Sequence, residues 1–190
     1  MKQRLKQALA LRQAHHITHP TRVQSAVLIP LYEKQGEYHI LFIQRTEKVK
    51  DHKGQIGFPG GAYEEQDGTL LETALRESAE EIGLMASDVE ILGELDDMMT
   101  LGTNYVISPF VAAIPWPYEF RVDQFETEEI IEVPILALLD RDCLRQGTDI
   151  FEGRVIDTYH YHYQGKVIWG ATARILKQFL DIVAPIMEGR

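Results

Sequence analysis

The sequence predicts an α/β fold in which a mixed β-sheet packs against helices. Short apolar runs with strand character occur before, between and after a few segments with helical spacing. The 190 residues contain no internal repeat and no Gly/Ser-rich linker, and 45% of them are hydrophobic, which is enough for one sizeable core. We therefore expect a single domain over residues 1–190, with residues 1–16 as an N-terminal helical extension.

Each element has a local signal. Residues 2–14 combine apolar and basic residues at helical spacing, which predicts an amphipathic helix lying on the domain. Residues 23–32 and 38–44 are expected to be paired strands, and residues 55–58 a short strand that ends at Pro59-Gly60-Gly61. The other predicted strands are residues 88–98, 105–114, 154–163 and 166–169, and the other predicted helices are residues 70–82, 134–140 and 171–187.

The composition restricts the classes of function. A formal net charge of −10 argues against a nucleic-acid partner, because phosphate backbones require a basic face. Cys143 is the only cysteine, so neither an intrachain disulfide nor a cysteine-based zinc site can form. The chain lacks an apolar run of membrane-spanning length and a secretory signal, although its basic N-terminus leaves a transit peptide open. We expect a cytoplasmic protein without a membrane partner.

The helix predicted at residues 70–82 carries the main chemical signal. Its core-facing stripe is predicted to comprise Leu71, Ala74, Leu75, Ser78 and Ile82. Glu77 and Glu81 lie one turn apart beside this stripe, where two like charges weaken a helix unless a hard cation lies between them. The competing interpretation is a solvated face with an ordinary Arg76–Glu80 ion pair. These residues alone favour the solvated face.

The wider sequence context favours a metal site. The segment from Gly61 to Leu84 resembles the Nudix box, with matches at Arg76-Glu77, Glu80-Glu81 and Gly83-Leu84. It departs from that pattern because Asp67 replaces the first glutamate, one extra residue separates it from Arg76, and Ser78 occupies an apolar position.

The upstream segment resembles the motif of the coenzyme A pyrophosphatase branch of the Nudix family. The residues that carry this second resemblance are Leu41, Arg45, Lys50, His52, Gly54, Gln55 and Phe58-Pro59-Gly60-Gly61. Thr46 and Lys50 depart from the usual small residue and arginine of that branch. The start of the last predicted helix, Trp169-Gly170 followed by Thr172-Ala173-Arg174, also resembles it.

The resemblance implies a Nudix-type α/β/α sandwich that binds Mg²⁺ or Mn²⁺. By analogy with the family, Glu77 and Glu81 provide the main metal contacts, Glu80 adds one directly or through water, and Arg76 orients a carboxylate. Asp67 either does the same or caps the helix. Glu126 and Glu129 are the candidates for the base that deprotonates water.

The resemblance also implies a substrate. A basic loop with Arg45, Lys50 and His52, next to Gly60 and Gly61, is expected to receive the phosphates of a coenzyme A-like ligand. The implied reaction cleaves the diphosphate linkage of coenzyme A or a derivative to 4′-phosphopantetheine and adenosine 3′,5′-bisphosphate. The alternatives are a pyrophosphatase for ADP-ribose or another nucleoside diphosphate derivative, and a non-catalytic nucleotide-sensing module. The sequence leaves monomer and homodimer open.

Overall fold

A computed structural model describes residues 1–49, 52–151 and 153–189 of the chain. These residues form an eight-stranded mixed sheet, a separate three-stranded sheet and four α-helices. The strands are β1 (Val23–Lys34), β2 (Glu37–Arg45), β3 (Ile56–Gly57), β4 (Gly60–Ala62), β5 (Glu90–Glu94), β6 (Met98–Met99), β7 (Tyr105–Ala113), β8 (Thr127–Pro134), β9 (Leu144–Phe151), β10 (Arg154–Tyr163) and β11 (Lys166–Ile168). The helices are α1 (Lys2–Leu11), α2 (Leu70–Ile82), α3 (Ile135–Leu139) and α4 (Gly170–Met187).

Strand β1 organises the large sheet. It pairs in parallel with β7, from Val23 opposite Tyr105 to Leu31 opposite Ala113. It also pairs in antiparallel fashion with β2 and with β4. On the outer sides, β8 and β3 pair with β2, while β5 and β6 pair with β7. The sheet is therefore mixed, as the sequence predicts.

Both faces of the large sheet are covered. Side chains alternate along β1, so Ile29 and Leu31 join one hydrophobic cluster, whereas Ala26 and Leu28 join another. The first cluster contains residues of α1, α3 and α4, and the second contains residues of α2. Helices on both faces of a mixed sheet make an α/β/α sandwich, which confirms the predicted fold class.

The N-terminal helix packs on the domain but is shorter than predicted. Leu5 and Leu9 are buried in the core, as an amphipathic helix requires. The helix ends at Leu11 rather than at residue 14, because Arg12 adopts an extended conformation and its guanidinium donates to the Asp96 carboxylate at 2.8 Å. The next residues form neither helix nor strand, and the Ile17 N–H donates to Asp97 at 2.7 Å. The expectation that residues 1–16 are helical is therefore wrong beyond Leu11.

Several strands differ from the sequence prediction. The predicted strand at 88–98 is two strands, β5 and β6, and its first part has an irregular register between Ile91 and Gly93. Strands β4, β8 and β9 carry little apolar alternation and were not predicted; β8, for example, contains three glutamates. Within the described parts of the chain, no helix combines the length and the apolar character needed to cross a bilayer.

Candidate active site

Helix α2 has the predicted ends, because each end carries a strong local signal. At the start, the Thr69 hydroxyl accepts the Glu72 backbone N–H at 3.2 Å. At the end, Gly83 takes the left-handed conformation with φ 70°. The buried residues of α2 are Thr73, Ala74, Ser78, Glu81 and Ile82.

The buried face of α2 is therefore rotated from the predicted stripe, and Leu71 and Leu75 are only half-buried. The rotation turns Glu81 inward. Ser78 is tolerated at a buried position because its hydroxyl donates to the Ala74 carbonyl oxygen at 2.7 Å. This bond accounts for the polar residue where the Nudix pattern prefers an apolar one.

Glu81 is the most enclosed acidic group of the site. Its side chain is 2% exposed, and its two oxygens accept from the Gly60 N–H at 3.0 Å and from Arg45 Nη1 at 3.1 Å. Burial raises the pKa of Glu81 to about 8 in spite of these two donors. Gly60 can approach this closely only as glycine, since its φ is +152° and a Cβ would lie 2.2 Å from the Ala26 carbonyl oxygen.

Glu77 lies one turn before Glu81 and faces the same glycine turn. A Cβ on Gly61 would lie 2.4 Å from the Glu77 carboxyl carbon, so the missing side chain leaves the space that this carboxylate occupies. Arg76 Nη1 approaches Glu77 Oε1 at 2.8 Å. Burial nevertheless raises the pKa of Glu77, and the charges of Glu80 and Glu126 act in the same direction.

Arg76 is held by Asp67. The Asp67 carboxylate accepts from Arg76 Nε at 2.6 Å and from Nη2 at 3.1 Å, and it also accepts from the Thr73 hydroxyl. The bond from Arg76 holds the pKa of the buried Asp67 carboxyl well below its usual range. Thr69 rather than Asp67 caps α2, and the Asp67 carboxylate instead holds Arg76.

Glu80 differs from its neighbours in exposure. Its side chain is 60% exposed, and its carboxylate accepts from Arg76 Nη1 at 3.1 Å. The Arg76–Glu80 ion pair expected for a solvated face is therefore present, but it coexists with the enclosed Glu77 and Glu81. Glu80 is the outermost of the three predicted metal ligands.

The loop before β8 brings Glu126 to the site. This loop is fastened to the end of α2, because the Arg121 and Asp123 N–H groups donate to the Ile82 and Glu81 carbonyl oxygens at 2.9 and 3.0 Å. Glu126 Oε2 lies 3.8 Å from Arg45 Nη2, and its charge contributes to the raised pKa of both Glu77 and Glu81. Glu129, the other candidate base, instead pairs with Lys166 on β11.

The predicted phosphate-binding loop is assembled only in part. Lys50 lies outside the described residues. His52 is exposed, and its Nδ1 lies 2.9 Å from the Gln55 side-chain oxygen within the same loop. Arg45 turns toward Glu81 and Glu126 rather than standing free in the loop. The sequence singles out Arg45 and Gly60 as substrate-binding candidates but does not reveal their contact with Glu81.

These residues are compatible with a hard divalent cation. Among the described residues, no three His, Cys, Asp or Glu side chains are gathered into a ready ligand set. Mg²⁺ needs fewer, because it usually keeps several waters and takes one or two carboxylates together with substrate phosphates. Glu77 and Glu81 are two desolvated carboxylates whose charges repel, since Glu77 is among the groups that raise the pKa of Glu81. A cation between them would relieve that repulsion.

Comparison with known proteins gives the family. Residues 22–159 match the NUDIX domain. An uncharacterized Nudix hydrolase, NudL, from Yersinia enterocolitica is 34% identical over 160 residues, which are 84% of this chain and 80% of that protein.

Solved structures agree in fold. A C. elegans Ap4A hydrolase binary complex matches 88% of this chain and 99% of its own, with a TM-score of 0.56 and 14% identity. The NUDIX domain of Shewanella oneidensis NrtR, complexed with ADP ribose, matches 64% of this chain and 78% of its own, with a TM-score of 0.51 and 18% identity. The chain belongs to the Nudix hydrolases and is a pyrophosphohydrolase.

Proposed function

We propose that this enzyme cleaves the diphosphate linkage of coenzyme A or a derivative, in a reaction that depends on Mg²⁺ or Mn²⁺. The products would be 4′-phosphopantetheine, or its derivative, and adenosine 3′,5′-bisphosphate. Metal-dependent hydrolysis is supported by one observation: the enclosed carboxylates of Glu77 and Glu81 lie against the Gly60-Gly61 turn. The substrate assignment rests on the resemblance of residues 41–61 to the coenzyme A pyrophosphatase motif.

The cation would be held by Glu77 and Glu81, with Glu80 contributing from the outer side. The carbonyl group near Gly61 would add a backbone ligand, since a residue without a side chain lets the main chain approach. A divalent cation supplies charge neutralisation for the diphosphate and lowers the pKa of water. Arg45 contacts Glu81 and Arg76 contacts Glu77, and both carboxylates lie against the Gly60-Gly61 turn.

Glu126 is the proposed general base. It is 42% exposed and lies across Arg45 from Glu81, so its carboxylate remains accessible to water and substrate. It would take the proton of the attacking water while Arg45 limits its movement. Glu129 is not proposed for this role, because its carboxylate is engaged by Lys166.

A cavity beside Glu126 offers room for the rest of the substrate. Its volume is about 390 Å³, and it is lined by Thr46, Glu47, Lys48, Gln124, Thr127 and Glu128. Small-molecule sites commonly have volumes of a few hundred Å³. We place the part of the substrate beyond the diphosphate here, where Lys48 is the cation of a lining that also contains Glu47 and Glu128.

Product analysis tests this proposal. The protein would be incubated with coenzyme A, ADP-ribose and a diadenosine polyphosphate, each with Mg²⁺ or Mn²⁺, and the products identified by mass spectrometry. Release of adenosine 3′,5′-bisphosphate from coenzyme A with the highest kcat/KM supports the assignment. Preferential turnover of ADP-ribose would replace it with the alternative, in line with the ligand of the NrtR domain.

Matched variants test the roles of the residues. Glu77→Gln and Glu81→Gln should lower turnover by orders of magnitude without loss of the fold, and Glu126→Gln should lower kcat. Glu129→Gln is the control, because Glu129 is an acidic neighbour that pairs outside the site. Full activity of either Glu77→Gln or Glu81→Gln would overturn the proposed metal site.

A further inference from the structure

The outer edge of strand β9 in the β9–β10 hairpin is exposed. Within the described part of the chain, β9 pairs with β10 alone and forms the outer strand of the three-stranded sheet. Residues 145–150 of β9 are all exposed. The pairing with β10 is regular from Leu144 opposite Tyr161 to Phe151 opposite Arg154, without a bulge. Proteins usually interrupt such an edge with a bulge, a proline or charges, because a regular free edge can pair with another chain.

We propose that β9 pairs with β9 of a second copy of this chain, in antiparallel orientation and centred on Gly147. Arg145 of one copy then lies opposite Asp149 of the second copy, and this pair occurs twice about the two-fold axis. Gln146 lies opposite Thr148, and Leu144 lies opposite Ile150. The charges of β9 therefore do not protect the edge against this particular pairing but favour it, since opposite charges face each other across the strands.

The residues of β9 that direct their N–H and C=O groups to the free edge are the ones that this register requires. In an antiparallel pair, alternate residues direct N–H and C=O away from the partner strand. The Ile150 N–H donates to the Asp149 carboxylate at 2.7 Å, so it points to the free edge. By the two-residue period, Thr148, Gln146 and Leu144 point the same way, and these are the residues that meet one another in the proposed register. Gly147 then lies opposite Gly147 of the second copy in a non-hydrogen-bonded pair. The two strands come closest at such a pair, and two residues without side chains fit there.

The apolar residues of the hairpin support the same partner. Ile150 and Val155 lie opposite each other near the hairpin end and are 72% and 71% exposed. Leu144, which would face Ile150 of the second copy, lines a cavity of about 370 Å³ together with Leu139 and Leu180. Side chains directly opposite in a sheet project from the same face, so Ile150 of the second copy would lie beside Leu144 at this cavity. The proposed pairing thus covers an apolar residue that one chain alone leaves in water.

Sedimentation equilibrium of the full chain tests this interface. We expect a species of twice the 21.7 kDa chain mass that dissociates on dilution. Arg145→Asp or Asp149→Arg alone places like charges opposite each other twice, and each should raise the dissociation constant about tenfold. The double variant Arg145→Asp with Asp149→Arg restores opposite charges and should return the constant close to that of the wild type. Lys53→Asp makes the same charge change as Arg145→Asp at an exposed residue outside the hairpin, and it should leave the dissociation constant unchanged.

Thr148→Pro provides an independent test. It removes an N–H that points to the free edge, so the hairpin itself should persist while the dimer is lost. Circular dichroism checks that this variant is folded. A wild-type chain that stays monomeric at its solubility limit would overturn the proposal. So would a dimer that is insensitive to the single charge reversals, or one that the double reversal does not restore.

Discussion

Gly61→Ala is the substitution that separates catalytic positioning from folding most sharply. The new Cβ would lie 2.4 Å from both the Glu77 carboxyl carbon and its Oε1. An ordinary van der Waals contact requires about 3.4 Å, so the carboxylate must move by roughly 1 Å. A displacement of about 1 Å at a catalytic group costs on the order of 100-fold in rate. We therefore expect kcat/KM to fall about 100-fold.

The same substitution should leave the fold intact. Gly61 does not require the left-handed region, and the atoms in contact with the new Cβ belong to the end of a flexible side chain. The melting temperature should stay within about 4 °C of the wild type, since Gly→Ala changes at compatible positions alter stability by up to about 1 kcal/mol.

Two other glycines provide controls for this experiment. Gly60→Ala places a Cβ 2.2 Å from the Ala26 carbonyl oxygen at φ +152°, so it should lower the melting temperature markedly. Gly102→Ala meets no atom within 4 Å and should change neither property. The assay is steady-state hydrolysis with saturating Mg²⁺, together with thermal unfolding. Wild-type kcat/KM in Gly61→Ala would refute the argument that this glycine makes room for a functional carboxylate.

Further predictions concern Glu81, Asp67 and Thr69. Burial raises the pKa of Glu81 to about 8 from 4.5, so between these pH values the folded chain holds a proton that the unfolded chain releases. The free energy of unfolding of the metal-free protein should therefore fall as pH rises from about 5 to 8. Urea titrations of Glu81→Gln should show a smaller dependence on pH. An equal dependence on pH in the wild type and the variant would contradict this assignment. Asp67→Asn should lower kcat by freeing Arg76, whereas Asp67→Glu should recover part of it, and an unchanged kcat in the first variant would exclude the positioning role. Thr69→Ala should cost about 1 kcal/mol of stability through the lost cap, with kcat at 25 °C unchanged.

The helix of the site could be predicted from sequence because its signals are local. Thr69 and Gly83 mark its ends, and the spacing of Glu77 and Glu81 places them one turn apart. The rotation of its buried face could not be predicted. The rotation buries Glu81, whose hydrogen-bond donors, Gly60 and Arg45, lie 21 and 36 residues earlier in the sequence.

The proposal of Glu126 rather than Glu129 as the base also depends on contacts that the sequence does not reveal. Both are acidic residues near the start of β8, and the sequence alone treats them alike. The loop before β8 is held against the end of α2 by backbone bonds, which brings Glu126 to the site, while Glu129 meets Lys166 of β11. Strand β9 was missed for a related reason. Its exposed polar residues carry no apolar alternation, and its partner β10 provides the pairing.

Electron paramagnetic resonance of free Mn²⁺ in a binding titration measures directly whether Glu77 and Glu81 hold the metal ion. We expect the wild type to bind Mn²⁺, and we expect Glu77→Gln and Glu81→Gln each to weaken this binding severely. Glu129→Gln should bind as the wild type does. Unchanged Mn²⁺ affinity in both Glu77→Gln and Glu81→Gln would contradict the assignment of these two carboxylates as the metal ligands.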